Sequence, residues 1–378
     1  MLSLVDLTKK LISYQSVTPS DKGCLEFLGD ILTEKGFVVY IKHFGEGSDS
    51  TANLYAQYGK SAPNICFAGH VDVVPTGPLE SWAHKPFAAV EVDEVIYGRG
   101  AVDMKGPIAA SIIAALDFIE SKEFDGSISF LLTSDEEGDA TYGTNMMLEW
   151  LVKNVPEFKL DFAVVGEPSC ERLIGDQLAI GRRGSANFSL EIQGRQGHVA
   201  FPHEAINPNK ILAAILYELS NIKLDAISEF FEASNLEITS IDVGNNVTNI
   251  IPNKATAKFN IRYNPGYSLE KLLNIVKNTI EKHTKEYRIT YKDSAKPFFN
   301  KPNDFIENFA KSIKEETGIS TNYITSGGTS DARFIINYCP VLEFGAQYKL
   351  AHQIDESISI QDLNYLYKIY RNFLTKVL

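Results

Sequence analysis

Long apolar runs are missing from this chain: no stretch of about twenty apolar residues is present to cross a bilayer, so no membrane partner is expected. The opening run MLSLVDLTKKLISYQSV interrupts its apolar residues with Asp6. It sets Leu4, Leu7, Leu11 and Ile12 on one helical face, unlike the unbroken apolar centre of a signal peptide. Cysteine is scarce. Cys24, Cys66, Cys170 and Cys339 stand far apart and form no CxxC pair, which argues against a disulfide scaffold or a thiolate metal site and fits a reducing, cytoplasmic compartment. Positive charge is also short, with 36 Lys and Arg against 48 Asp and Glu for a formal charge of −12. No basic run is present to track phosphates, so no nucleic-acid partner is expected.

What is present describes a globular chain of 378 residues, 44% hydrophobic and 22% charged. At roughly 100–200 residues per domain, two domains are expected. Periodicity predicts helices to about Gln15, over 23–35 and over 108–120, alternating with strands over 37–43, 53–57, 64–68, 127–132 and 162–165. After about Gly181 the pattern changes to strands over 186–192, 236–243 and 255–263 with helices over 208–219 and 269–282, a compact α+β unit. From about Pro297 the first style resumes, with helices over 304–316 and 331–336 and a strand over 341–344. The expected architecture is α/β. A catalytic domain, residues 1–180 and 295–378, carries a central mixed sheet flanked by helices, and an α+β domain, 181–294, is inserted into it.

Five metal-seeking side chains are spaced along this pattern: His70, Asp103, Glu137, Glu167 and His352, with Glu136 beside the third. Two imidazoles and three carboxylates suit two adjacent zinc-type cations if one carboxylate bridges them. Most of them fall just past predicted strand ends, where open α/β sheets place their sites. In GHVDVVP, Asp72 stands two residues after His70, a spacing at which it can accept the ring N–H that His70 does not use on a metal. In YGRGAVDMKG, Asp103 follows a glycine-rich turn and precedes Gly106-Pro107, a helix start, and is well placed to bridge. In SDEEG, two adjacent carboxylates repel unless something positive lies between them. Glu137 is assigned to metal and Glu136 to water activation, taking a proton from water and passing it to the leaving amine. VGEPS puts Glu167 at a strand end, with Pro168 keeping the loop out of helix, and FGAQYKLAHQIDE supplies His352. Each string is weak by itself; the ordered set is strong.

With these residues assembled, the whole chain resembles the di-zinc aminoacylase and carboxypeptidase superfamily. Through SWAHKPF, IGRRGS and SGGTSDARF it resembles the branch that removes succinate from N-succinyl-LL-2,6-diaminopimelate. The metal motifs do not choose the substrate; the closer resemblance rests on these three strings. The resemblance implies two divalent cations per subunit, zinc or cobalt. One would be held by His70, Asp103 and Glu167 and the other by Asp103, Glu137 and His352, with Glu136 as general acid/base and Asp72 orienting His70. It further implies that the inserted domain is a lid through which the chain forms a homodimer. His198 would reach the partner subunit's site to stabilise an oxyanion.

A small-molecule substrate with several carboxylates needs donors in an acidic protein. Arg182 and Arg262 can supply bidentate ones. Gly328, Thr329 and Ser330, at the start of the helix expected over 331–336, can present N–H groups and hydroxyls. The resemblance implies that Asn249 adds an amide from the lid.

Overall fold

A computed structural model describes residues 2–325 and 328–378, and two compact units emerge. The first comprises the chain up to Ile180, Asn300–Ile324 and Ser330–Leu378; the second comprises Gly181–Phe299 and a short return at Thr325 and Thr329. The change-over falls at Asn300 because Tyr287–Ala295 and Phe298–Phe299 pair with strands of the second unit.

The first unit is built on an eight-stranded mixed sheet in the order Val38–Phe44, Thr51–Gly59, Ser127–Thr133, Asn64–His70, Phe162–Val165, Val341–Glu343, Gln177–Ala179, Asn322–Ile324. Four neighbours in the middle, from Ser127–Thr133 to Val341–Glu343, run parallel. Every residue of these four is buried. That is the burial expected of parallel strands covered on both faces. Helices Gly106–Ser121 and Ile360–Val377 pack on each other, and the latter also packs on Asp304–Thr317. Phe67, Phe309, Phe344, Tyr370 and Phe373 interlock beneath them, each worth roughly 1.5–3 kcal/mol of transfer free energy.

The register decides where the site forms. His70 is level with Thr133, Ala68 with Val165, and Val165 with Glu343, so the carboxyl ends of all four parallel strands open at one edge. The last element expected from periodicity is the strand over 341–344. The structure adds Ile360–Val377, whose buried Leu363, Leu366, Ile369, Tyr370, Phe373 and Leu374 follow helical spacing, and Thr144–Asn154. The helix expected over 331–336 is present as the short turn Ala332–Ile335, with Asp331 and Ile336 flanking it in helical backbone conformation.

The second unit is a four-stranded antiparallel sheet, in the order Asn235–Asp242, Lys254–Tyr263, Gly184–Gln193, Tyr287–Ala295. Burial alternates along Gly184–Gln193 and Lys254–Tyr263, as in a sheet covered on one face only. Helices Pro208–Ser220 and Leu269–Glu281 cover the buried face, closing a core around Phe188, Phe259, Leu216 and Val276. Both helices start on side-chain caps, from Asn207 and Ser268. Among the described residues no helix is long and apolar enough to cross a membrane.

Candidate metal centre

His70 is the last residue of its strand and is 1% exposed. Its Nε2 lies 3.1 Å from Asp103 Oδ1 and 3.6 Å from Glu167 Oε1. Glu167 comes one residue after Gly166 at the end of the next parallel strand. Gly345 permits that approach: a Cβ there would meet the Gly166 carbonyl oxygen at 2.3 Å and that of Glu167 at 2.6 Å. Asp103 reaches the site from the segment Ala101–Lys105, just before the helix starting at Gly106. Its second oxygen, Oδ2, lies 3.2 Å from His352 Nε2, and His352 Nε2 is 2.8 Å from Glu137 Oε1. The two oxygens of Asp103 thus face different histidines, one flanked by Glu167 and the other by Glu137. Among the described residues, His70, Asp103 and Glu137, and likewise His70, Glu136 and Glu167, offer ligand atoms within 4.8 Å of one another.

Asp72 differs from the sequence expectation. The His70 Nδ1–H donates to the main-chain oxygen of Asp72 at 2.9 Å, while the nearer carboxylate oxygen of Asp72 is 3.7 Å away. The carboxylate is engaged elsewhere, accepting the N–H of Glu136 at 3.3 Å and of Glu137 at 3.1 Å. Asp72 therefore sets the His70 tautomer with its backbone and holds the paired glutamates with its side chain. Asp135 turns the same loop by accepting the N–H groups of Ala140 and Tyr142.

The electrostatics call for positive charge. Burial raises the Glu136 carboxyl well above its usual range, and Asp331, Glu137 and Asp103 add to this against the opposing pull of His70. Burial also raises Glu167, with Asp103 and Glu136 adding. For His70, burial acts downward, but the hydrogen bond and charge of Asp103, with Asp72 and Glu167 behind it, hold the imidazole well above its ordinary value. Hydrogen bonds to Asp103 and Glu137 lift His352 to about 10. Protons are thus drawn to a cluster rich in carboxylates, and a divalent cation satisfies the same field. Glu167 Oε1, buried and without a hydrogen-bond donor, fits that role. The N, O donor set suits a zinc-like or other first-row cation.

Sequence reasoning missed Lys105, Arg99 and Glu356. Lys105 is fully buried, donates to the Tyr14 carbonyl at 2.8 Å, and is lowered to about 8 by burial. Arg99 and Glu356 form a buried ion pair at 2.8 Å. The available signal was a charge in a run of small or apolar residues, Arg99 and Lys105 in YGRGAVDMKG, and an acid four residues after His352.

The residues expected on the substrate side belong to one unit or the other. In the second unit, Gly197–His198 pairs with Ile250–Ile251, and the Val199 N–H donates to the Asn249 carbonyl, so His198 and Asn249 are neighbours. His198 Nδ1 accepts the Ala200 N–H, which leaves the neutral ring's proton on exposed Nε2. Arg262 lies on the strand opposite Ser185, with Nη1 buried and lacking an acceptor, and burial beside Arg183 lowers its pKa. Arg182 is buried on the short strand Gly181–Arg182. Gly328 is exposed and Thr329 half-buried. Ser330, in the first unit, is not an open donor: its hydroxyl donates to buried Glu343 and accepts the Ala332 N–H. Ser326 and Gly327, in SGGTSDARF, lie outside the described residues.

The model of Peptidase family M20/M25/M40 matches residues 66–376. The chain belongs to this family. Succinyl-diaminopimelate desuccinylase of Rickettsia bellii (strain OSU 85-389) is 52% identical over 376 residues, covering 98% of this chain and 95% of the relative. Among solved structures, an M20 family metallo-carboxypeptidase of Sulfolobus solfataricus superposes with a TM-score of 0.78 at 19% identity, covering 99% of both chains. A dinuclear metal-binding peptidase of the M20 family from Bacillus subtilis does so at 0.68 and 15% identity, covering 99% of this chain and 98% of that one. At these identities the solved structures show the shared M20 fold, and the expected α/β architecture with a mixed central sheet is the one observed.

Proposed function

We propose that this M20 hydrolase converts N-succinyl-LL-2,6-diaminopimelate and water into succinate and LL-2,6-diaminopimelate. The observation that carries this reading is the 52% identity, over 98% of the chain, to a desuccinylase, together with a cluster in which four carboxylates and two histidines converge near the parallel strand ends. The reaction places the chain in diaminopimelate and lysine biosynthesis, a cytoplasmic setting.

His70, Asp103 and Glu167 would hold one cation and Asp103, Glu137 and His352 the other, zinc being the expected metal and cobalt an alternative. When bound, two such cations supply the positive charge that acidifies water and polarises the amide carbonyl. Glu136 takes the proton from the attacking water and returns it to the amine nitrogen as the C–N bond breaks. Without cations, burial raises its carboxyl, with Asp331, Glu137 and Asp103 adding; bound cations would oppose that shift and leave Glu136 free to accept the proton. Asp72 keeps Glu136 and Glu137 in place through their main-chain N–H groups.

The second unit is read as a lid and homodimer module. His198 would donate Nε2–H to the developing oxyanion in the partner subunit's site, and Arg182, Arg262 and Asn249, with Gly328 and Thr329, would meet the substrate carboxylates. The unpaired Nη1 of Arg262 supports an anion as its partner.

The decisive experiment compares hydrolysis of N-succinyl-LL-2,6-diaminopimelate and N-acetylornithine on one cation-loaded sample, with metal analysis of the same protein. Preference for the succinyl substrate at two cations per chain is expected. Preference for acetylornithine would replace the substrate while leaving the site intact.

A further inference from the structure

The segment bearing the bridging carboxylate and the loop bearing His352 are far apart in sequence, and one buried ion pair joins them. Glu356 is fully buried, and its Oε1 accepts the main-chain N–H of Val102 at 3.0 Å and of Asp103 at 3.2 Å. Its Oε2 accepts Arg99 Nη1 at 2.8 Å. Arg99, 3% exposed, donates from Nη1 to the Gln353 carbonyl at 3.0 Å and from Nη2 toward the His352 carbonyl at 3.5 Å and that of Pro75 at 3.4 Å. The guanidinium also lies 5.1 Å from the ring centre of Trp82, which gives the SWAHKPF string a structural task.

His352 has little else to hold it. Its side chain is half-exposed, and its backbone has a positive φ of 62°, a conformation that non-glycine residues adopt only when surroundings impose it. The carbonyl side of this loop is gripped by Arg99, while the N–H side of the Asp103 segment is gripped by Glu356. The planar guanidinium suits this task because it reaches several acceptors at fixed angles.

We propose that Arg99 and Glu356 are positioning residues for the second cation: their ion pair fixes the spacing between Asp103 and His352, and so tunes cation affinity at the Asp103–Glu137–His352 set. This rests on the two-cation reading of the site, and it does not depend on which amide the enzyme cleaves. Glu356→Gln keeps the shape but replaces one carboxylate oxygen by an NH2. That group must then face either the two main-chain N–H groups or Arg99, a donor against a donor in both cases. Arg99→Lys keeps the charge but cannot span the same carbonyls.

The test titrates cation-free protein with cobalt(II), followed by calorimetry and visible absorption. Two binding events are expected in the wild type, one of which His352→Ala removes. Glu356→Gln should weaken that event at least tenfold and leave the other within about threefold, with Arg99→Lys falling between. Leu366→Ala, a cavity variant in the carboxy-terminal helix that lowers stability without touching the pair, should leave both events unchanged. Wild-type affinity for both events in folded Glu356→Gln, or equal weakening in Leu366→Ala, overturns the proposal. If Glu356→Gln does not fold, Arg99→Lys decides by the same criterion. A wild type whose two events both survive His352→Ala would instead count against the ligand assignment.

Discussion

His70 and His352 flank one carboxylate and are held in opposite ways. His70 closes a strand buried at every residue, and both ring nitrogens are engaged, one by a main-chain oxygen and the other by Asp103. His352 stands half-exposed on a loop, with Nε2 against Glu137 and Asp103, and the loop is held by Arg99 through the adjacent Gln353 carbonyl. A ligand borne by a core strand inherits its position from packing, so disturbing it disturbs the fold. A ligand borne by a loop needs a polar strut, and disturbing it costs occupancy first.

The largest expected effect separates base from ligands on the His70 side. Glu136→Gln should retain both cations and lose about 10²–10⁴-fold or more in kcat, the usual worth of a positioned acid/base. Because Glu136 lies within ligand distance of His70 and Glu167, metal analysis of the same variant matters. A missing cation there would make Glu136 a ligand and remove the assigned base.

The two histidines are the next contrast. His70→Ala strips Asp103 and Glu167 of a buried partner and should destabilise the cation-free protein by about 3–5 kcal/mol, read by urea unfolding. His352→Ala should cost under about 1 kcal/mol, the range of exposed ion pairs, and remove one cation. Equal stability losses would erase the distinction between strand and loop.

Asp72→Asn tests the link between the two sides. One amide end can still accept from Glu136 or Glu137 but the other cannot, and a drop in kcat of about 10–100-fold is expected for such supporting groups. An unchanged kcat with wild-type metal content would show that the glutamate pair holds itself.

The smallest effect is in pH dependence. With its folded-state pKa raised to about 10 against an ordinary value near 6.5, His352 stabilises the cation-free protein fully below about pH 6.5 and progressively less as pH rises through 10. The stability difference between wild type and His352→Ala, measured without cations, should therefore shrink from pH 6 to pH 10. A difference that grows with pH would contradict the contacts of His352 with Asp103 and Glu137.

Much of this was legible in local pattern. The continuous apolar run at 64–68 announced a buried parallel strand, and the second compact unit begins at Gly181, where the pattern changes style. GHVD, VDMKG, SDEEG, VGEPS and the late histidine supplied the side chains that the structure brings together. The helix Ile360–Val377 is readable by the same periodicity but carries no donor to draw notice. Asp72 misled because spacing shows which residue is near His70 but not which of its oxygens accepts. Ser330 misled because a hydroxyl in a glycine-rich string looks free until the fold brings Glu343 against it.

By itself, the sequence determined the inventory of the site: residue type and order are covalent facts, and two imidazoles among clustered acids have few uses besides cations. Only the tertiary structure decided the assignments within that inventory. Strand register brings His70, Glu136, Glu137 and Glu167 to one edge, Gly345 lets two backbones touch, and Asp103 turns one oxygen to each histidine. The physical reason is one of range. Propensity and periodicity act over a few residues, while the pairing of Arg99 with Glu356 spans 257 positions and exists only once the core between them has closed.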